Sequence, residues 1–364
     1  LIHLMFGCGH HIVRPMNNPR EQVVSNTTTF VDAGIPIVDV RAPIEFEKGH
    51  IPGAVNIPLL TDDDRHHVGL CYRNKGHHAA VQLGLERVGP RMAELAQAGL
   101  DVAQKGQLQV YCQRGGKRSQ SMSWLWSQVG VEIHRLDGGY KSFRQWVHST
   151  LQQPQEWLLL AGGTGVGKTD ILHTLAQDGD PMIDLEGLAN HKGSAFGAIG
   201  ELPGPSQSHF ENQLALQLHQ LKVCSPIWLE SESRRVGTCQ IPDPIWEAMQ
   251  SSPRIYIERD RQQRVNQLCH DYQDASITEL ERALNGIRKR LGPEGYKNAM
   301  KDLYDGNRAG VVEEVLGYYD RLYTKHKVKH ATRIVATIDV SSRTMQSVIS
   351  ELQSLKDEKY RSIE

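Results

Sequence analysis

At 364 residues the chain is long enough for two ordinary domains, each with its own core. Hydrophobic residues make up 39% of it without any long apolar run, which excludes a helical membrane protein. Six scattered cysteines without a Cys-x-x-Cys pair argue against a zinc ribbon or a secreted disulfide framework and point to a reducing cytoplasm. With a net charge of −1, any RNA contact must come from local basic patches.

Residues 1–19 read as a tail or a segment foreign to the natural protein, with Met16 as a plausible start. They lack the basic start and full apolar core of a signal peptide. Cys8, His10 and His11 are expected to be inert there, and no metal site is assigned to the tail.

Residues 20–150 are expected to form the first domain. Residues 35–41 (IPIVDVR) predict a buried strand ending in Asp39 and Arg41. A short acidic helix with Glu45 follows, and a Gly/Pro turn (residues 49–54) leads into a second short strand. Asp39, Arg41 and His50 are read as polar groups that stabilise the fold. Residues 61–76 form an insertion whose paired histidines lack ligand spacing, and Cys71 within it is read as a packed bystander.

Residues 108–111 form an alternating apolar run that ends at Cys112. Glycines and cations come directly after it, and Ser119 is expected to cap a helix through Trp124, Leu125 and Val129. A thiol at a strand end, near a helix N-terminus and beside Arg114, Lys117 and Arg118, is suited to carry negative charge. Cys112 and Arg118 also stand in Cys-x5-Arg spacing, which suits a tetrahedral phosphate-like donor held bidentately by Arg118. A strand over residues 131–135 leads to Gly138, Gly139 and Tyr140, with Lys141 and Arg144 beyond. Tyr140, Lys141 and Arg144 either line the pocket or merely close the domain.

Residues 151–156 read as a linker, and residues 151–364 as a second domain with a helical, basic C-terminal region. An apolar strand at 157–161 runs into Gly162, Gly163, Thr164, Gly165, Val166, Gly167, Lys168 and Thr169, and then into an amphipathic helix. This is a P-loop in its required strand–loop–helix context. Its N–H groups face a phosphate, Lys168 supplies a point charge, and the Thr169 hydroxyl suits Mg²⁺. Asp184 with Glu186, and Glu230 with Glu232, lie at two further strand ends. Asp184 and Glu230 are counted with the P-loop as cofactor-binding residues, against the plainer reading of solvated strand ends. After a strand at 254–258 the chain reads as helices over 279–291, 295–305 and 311–326. Two basic stretches, Arg282 to Lys297 and Arg321 to Lys329, are interleaved with tyrosines and suit an RNA backbone. A late strand at 332–339 precedes an exposed tail helix.

Asp39, Arg41, Glu45, Phe46, the Gly49–Ala54 turn and Cys112 together resemble the rhodanese fold over roughly residues 20–150. That resemblance implies a parallel α/β sheet with the active cysteine opening a loop at its carboxyl edge. Several further segments are CQRGGKRS from Cys112, GGYK from Gly138, DLEGLA from Asp184, HKGSAFG from His191 and ESES from Glu230. Together they resemble the tRNA 2-selenouridine synthase family, from about residue 30 to about residue 330. Lys192 stands where an arginine is expected, which keeps the charge but loses the bidentate fork.

The resemblance implies a cytoplasmic transferase on tRNA carrying 2-thiouridine at the wobble position, with no membrane partner. Selenophosphate and geranyl diphosphate are the implied co-substrates, with S-geranyl nucleoside as intermediate and an apolar slot expected near the P-loop. Cys112 is then suited to taking selenium as a perselenide, while Arg114, Lys117 and Arg118 neutralise phosphate. Two other readings remain open: a sulfurtransferase or thiol phosphatase controlled by an attached NTPase, and an RNA-binding nucleotide switch.

Overall fold

The computed structural model describes residues 20–221 and 226–360, so the expected N-terminal tail lies outside the described residues. They form two compact units that divide between Val147 and His148.

In the first unit β1 (Glu21–Val24), α1 (Thr27–Asp32), β2 (Ile37–Asp39), α2 (Pro43–Glu47) and β3 (Val55–Asn56) are followed by two long helical segments. These are α3 (Asp62–Val88), the insertion, kinked at Gly76, and α4 (Met92–Val102). Then come β4 (Gln107–Tyr111), α5 (Lys117–Gln128), β5 (Glu132–Leu136) and α6 (Gly139–Leu151). The strands lie in the order β1-β5-β4-β2-β3, every pair parallel. Val38, Leu108, Val110, Met122, Trp126 and Ile133 are fully buried and fill the core. Central strand β4 is buried on both faces, with Leu108 and Val110 on one and Gln109 and Tyr111 on the other, where the Gln109 amide donates to the Phe30 carbonyl at 2.7 Å. Trp126 is accepted there because its indole N–H donates to the Leu95 carbonyl at 2.9 Å.

The second unit opens with β6 (Trp157–Gly162) and α7 (Lys168–Gln177), then β7 (Met182–Ile183), α8 (Leu185–Ala189) and α9 (Gln207–Leu221). β8 (Ile227–Glu230), the small hairpin β9 (Arg235–Val236) and β10 (Cys239–Gln240), α10 (Asp243–Ser251) and β11 (Arg254–Glu258) come next. α11 (Arg261–Asp271), α12 (Ile277–Tyr304), α13 (Arg308–Lys329), β12 (Ile334–Asp339) and α14 (Met345–Tyr360) complete it. Its main sheet is again parallel throughout, in the order β12-β11-β6-β8-β7, with β6 at the centre. The helices expected over 279–291 and 295–305 both lie within α12, where Gly292 (φ 82°) breaks the helical backbone between them beside Pro293.

The expectation of an exposed tail helix fails. α14 is no exposed tail: Val348, Ile349 and Leu352 are buried against Leu158, Leu160 and Leu175. Spacings of three and four residues give the helix an apolar stripe, and the sheet leaves a face for it to cover. Leu352→Ala is therefore expected to destabilise this unit by about 2–5 kcal/mol. Urea unfolding measures it; a loss near zero would return α14 to the surface.

Candidate functional site

The first candidate site lies where β2, β4 and β5 end. Cys112 directly succeeds β4 and is only 3% exposed, with its Sγ 3.2 Å from Ser119 Oγ and 3.9 Å from the Gly116 carbonyl. α5 starts at Lys117 with Gly116 as its N-cap, so Ser119 is not the cap that the sequence suggests. It sits in the first turn, where its hydroxyl donates to the Gly116 carbonyl at 3.0 Å and reaches the sulfur. The first-turn N–H groups have no acceptor one turn back and are available to an anion.

Three hydrogen bonds to backbone carbonyls fix the loop. Tyr140 N–H donates to the Cys112 carbonyl at 2.8 Å, Lys141 N–H to the Gln113 carbonyl at 3.1 Å, and Arg135 Nη1 to the Gly115 carbonyl at 2.7 Å. The approach is close enough to require glycine: a Cβ on Gly139 would stand 2.1 Å from the Cys112 oxygen. Behind the loop, Arg41 is buried on Asp39, donates to Gln113 Oε1 at 3.2 Å, and lies over the Tyr140 ring. Tyr140 is thus part of the wall that holds Arg41, while Lys141 is exposed.

The three cations of the loop are not equivalent. Arg114 and Lys117 are exposed at its rim with no ion pair among the described residues, whereas Arg118 Nη1 lies 2.6 Å from Glu45 Oε2. Burial opposes charge on Glu45, but Arg118 and then Arg65 hold its carboxyl below the usual range. An incoming anion must therefore compete with Glu45 for Arg118.

The second candidate site surrounds the P-loop. Lys168, 8% exposed, lies with its Nζ 3.1 Å from Glu230 Oε1 and 3.2 Å from the Gly163 carbonyl. Burial works against its ammonium, but Glu230 outweighs that and raises its pKa above the ordinary lysine value. The Thr169 hydroxyl donates to Glu230 Oε2 at 3.4 Å. Glu186, Glu230 and Glu232 bring carboxylate oxygens within 4.8 Å of one another, an all-oxygen set of the kind that suits a hard divalent cation. Burial, followed by repulsion from Glu230, pushes the pKa values of both Glu186 and Glu232 up.

Asp184 does not join them. Its Oδ1 accepts from Gly187 N–H at 2.8 Å as the N-cap of α8, and its Oδ2 lies 2.9 Å from His173 Nε2. Glu230 is the acid on Thr169, and Glu186 is the member of the Asp184 pair that turns toward it. Other partners came without a local signal. Arg264 Nε–H donates to the Thr164 carbonyl from 100 residues away, and Tyr323 brings its ring within 6.0 Å of Lys168.

Beside Thr164 lies a small cavity of about 40 Å³, lined largely by apolar side chains including Phe196, Leu268, Val311 and Leu316. Its polar neighbours are committed elsewhere. Arg308 donates to the Tyr272 and Ala275 carbonyls, and the Tyr319 hydroxyl accepts Ala195 N–H at 2.7 Å. On α12, by contrast, Lys289, Arg290, Lys297 and Lys301 are exposed. The other basic stretch is partly occupied, with Lys327 on Glu258 at 2.6 Å. No helix among the described residues is long and apolar enough to cross a membrane.

A cysteine loop on one parallel-sheet unit and a P-loop on another define a rhodanese–P-loop protein. The rhodanese-like domain model matches residues 27–145, and the model of the tRNA 2-selenouridine synthase AAA domain matches residues 155–355. A tRNA 2-selenouridine synthase of Cupriavidus pinatubonensis is 35% identical, with 83% of this chain and 92% of that protein covered. One from Pseudomonas fluorescens is 37% identical, covering 82% and 90%. The chain belongs to the tRNA 2-selenouridine synthase family.

The carboxylate cluster sets a pH dependence. Carboxyl groups raised in the folded state stay protonated where the unfolded chain has released its protons, so stability falls as pH rises above the ordinary carboxylate range. Glu232→Gln is expected to flatten that fall between the ordinary value of 4.5 and about 8, the range over which the buried Glu232 keeps its proton, in thermal unfolding. Equal slopes in variant and wild type would contradict the assignment.

Proposed function

We propose that the protein replaces the sulfur of wobble 2-thiouridine in tRNA with selenium from selenophosphate, by way of S-geranylation with geranyl diphosphate. One observation supports the geranyl part: the small apolar cavity shares Thr164 with the P-loop, and its Arg308 and Tyr319 side chains are bonded to backbone groups. A nucleotide base needs open donors and acceptors, whereas a hydrocarbon chain needs only apolar wall. A diphosphate gripped by Lys168 and the loop N–H groups can thus extend an isoprenoid tail into the cavity.

In the first step the thiocarbonyl sulfur attacks the allylic carbon. A C–S bond forms, the C–O bond breaks with its electron pair going to diphosphate, and the ring N3 proton is lost to solvent. Alkylation turns a poor leaving group into one that departs as a thiol. Mg²⁺ held by Glu186, Glu230, Glu232 and the Thr169 hydroxyl would neutralise diphosphate charge.

In the second step selenide adds at C2 and the geranyl thiol leaves. Electron balance bears on how Cys112 helps. A perselenide on its sulfur would either leave phosphorus reduced to phosphite or, with phosphate as the product, require an external two-electron oxidant. Attack of the sulfur on phosphorus instead expels selenide at unchanged oxidation level and gives an S-phosphocysteine that water hydrolyses. The buried sulfur, the Ser119 hydroxyl 3.2 Å away and the rim cations Arg114 and Lys117 support that course. Arg118 serves it once Glu45 yields. The exposed cations of α12 suit the phosphate backbone of tRNA.

Two variants separate the steps. Cys112→Ala is expected to abolish selenation and leave geranylation largely intact. Lys168→Ala is expected to weaken geranyl diphosphate binding by about tenfold or more. Nucleoside mass spectrometry and calorimetry read the two effects; loss of both activities in Cys112→Ala, or unchanged affinity in Lys168→Ala, would overturn the division of labour.

A further inference from the structure

Two guanidinium groups reach the P-loop from the chain just beyond β11, and they differ in how their donors are used. Arg264, on α11, is held at two of its nitrogens: its Nε–H goes to the Thr164 carbonyl at 2.9 Å and its Nη2 to Asp320 Oδ1 at 2.6 Å. Its Nη2 lies 3.0 Å from where a Cβ on Gly163 would stand, so it braces the loop from behind. Arg259 is different. Its Nη1 lies 3.4 Å from the Cβ position of Gly167, which holds a φ of +88° directly before Lys168. Its Nε is buried and has no hydrogen-bond partner.

The carboxylates next to Arg259 in sequence are spent. Glu258 takes Lys327 at 2.6 Å, and Asp260 caps α11 by accepting from Gln262 and Gln263 N–H at 2.9 and 3.2 Å. A buried N–H donor left open is destabilising. Here the open donor belongs to a cation with no counter-ion among the described residues, and it stands against a loop built to hold anions.

We infer that Arg259 binds the diphosphate held by the P-loop, as a guanidinium clamp on the phosphoryl oxygens beside Gly167 and Lys168. The planar fork of arginine matches two oxygens of a phosphoryl group, which the Lys168 point charge does not. As the C–O bond of the ester breaks, its electron pair moves onto diphosphate, and Arg259 donates to the oxygens that gain this charge. Arg259 takes up and gives up no proton. The inference rests on the reading of the P-loop as a diphosphate site, and extends it to a residue about ninety positions downstream that no local pattern marks.

Calorimetry with inorganic diphosphate as the probe, on the full-length protein, tests this for the wild type, Arg259→Ala, Arg259→Lys and Lys168→Ala. Arg259→Ala is expected to bind about ten- to a hundredfold more weakly. Arg259→Lys should recover only part of that, because an ammonium lacks the fork. A purely structural role would lower the melting temperature and leave affinity in the folded protein alone. Should Arg259→Ala fail to fold, Arg259→Gln keeps a planar donor without the charge and must still weaken binding. Unchanged affinity in folded Arg259→Ala or Arg259→Gln beside a weakened Lys168→Ala would overturn the role of Arg259 while sparing the P-loop reading. No binding by the wild type would overturn both. Weakened binding in the arginine variants of a protein that never alkylates tRNA would uphold Arg259 and sink the transferase reading.

Discussion

In both main sheets every strand runs the same way, so the chain leaves every strand at the same edge. At that edge backbone groups run out of ladder partners, and the helices beyond it begin with unsatisfied N–H groups. The central strands β4 and β6 are buried on both faces and cannot shift without losing their cores. The residues that leave these two strands are consequently held in place: Cys112 after β4, and the P-loop after β6. The flanking strands contribute from the same edge, Arg41 after β2 in one unit and Glu230 at the end of β8 in the other.

Both sites keep a cation against a carboxylate. Arg118 rests on Glu45 and Lys168 on Glu230. Such pairs add little net stability when desolvation is charged against them, but removing one partner leaves a costly buried charge. In the proposed reaction an anionic substrate would compete with each carboxylate for its cation. The two sites differ in the groups around the pair. Around Lys168 two further carboxylates, Glu186 and Glu232, stand close enough to repel Glu230. Around Arg118 the extra groups are cations, Arg114 and Lys117, exposed at the rim. The first arrangement suits a multiply charged leaving group and a cation; the second suits a smaller anion arriving from solvent.

Contiguous chemistry was legible in the sequence. The P-loop spans eight consecutive residues between an apolar strand and an amphipathic helix, and the Cys112 loop lies between similar elements. Pairings across the chain were not legible, because periodicity reports which face is buried and not what it meets. Glu45 and Arg118 are 73 residues apart, and Thr164 and Arg264 are 100 apart. Ser119 was misread for a local reason: serine near a helix start suggests a cap, but Gly116 takes that position, and the Ser119 hydroxyl donates to the Gly116 carbonyl while standing 3.2 Å from the sulfur. Asp184 was misread in the opposite direction, since an acid at a strand end serves a cation or caps a helix equally well in sequence. The lining of the cavity beside Thr164 was not legible, because its walls come from several segments far apart in the chain.

The central claim is that alkylation precedes exchange. Its most direct test is mass spectrometry of nucleosides from 2-thiouridine tRNA incubated with the pure protein, first with geranyl diphosphate alone and then with selenophosphate added. The account predicts a mass gain of one geranyl group in the first sample and its replacement by 2-selenouridine in the second. Selenation without any dependence on geranyl diphosphate, or an unchanged nucleoside in both samples, would contradict it.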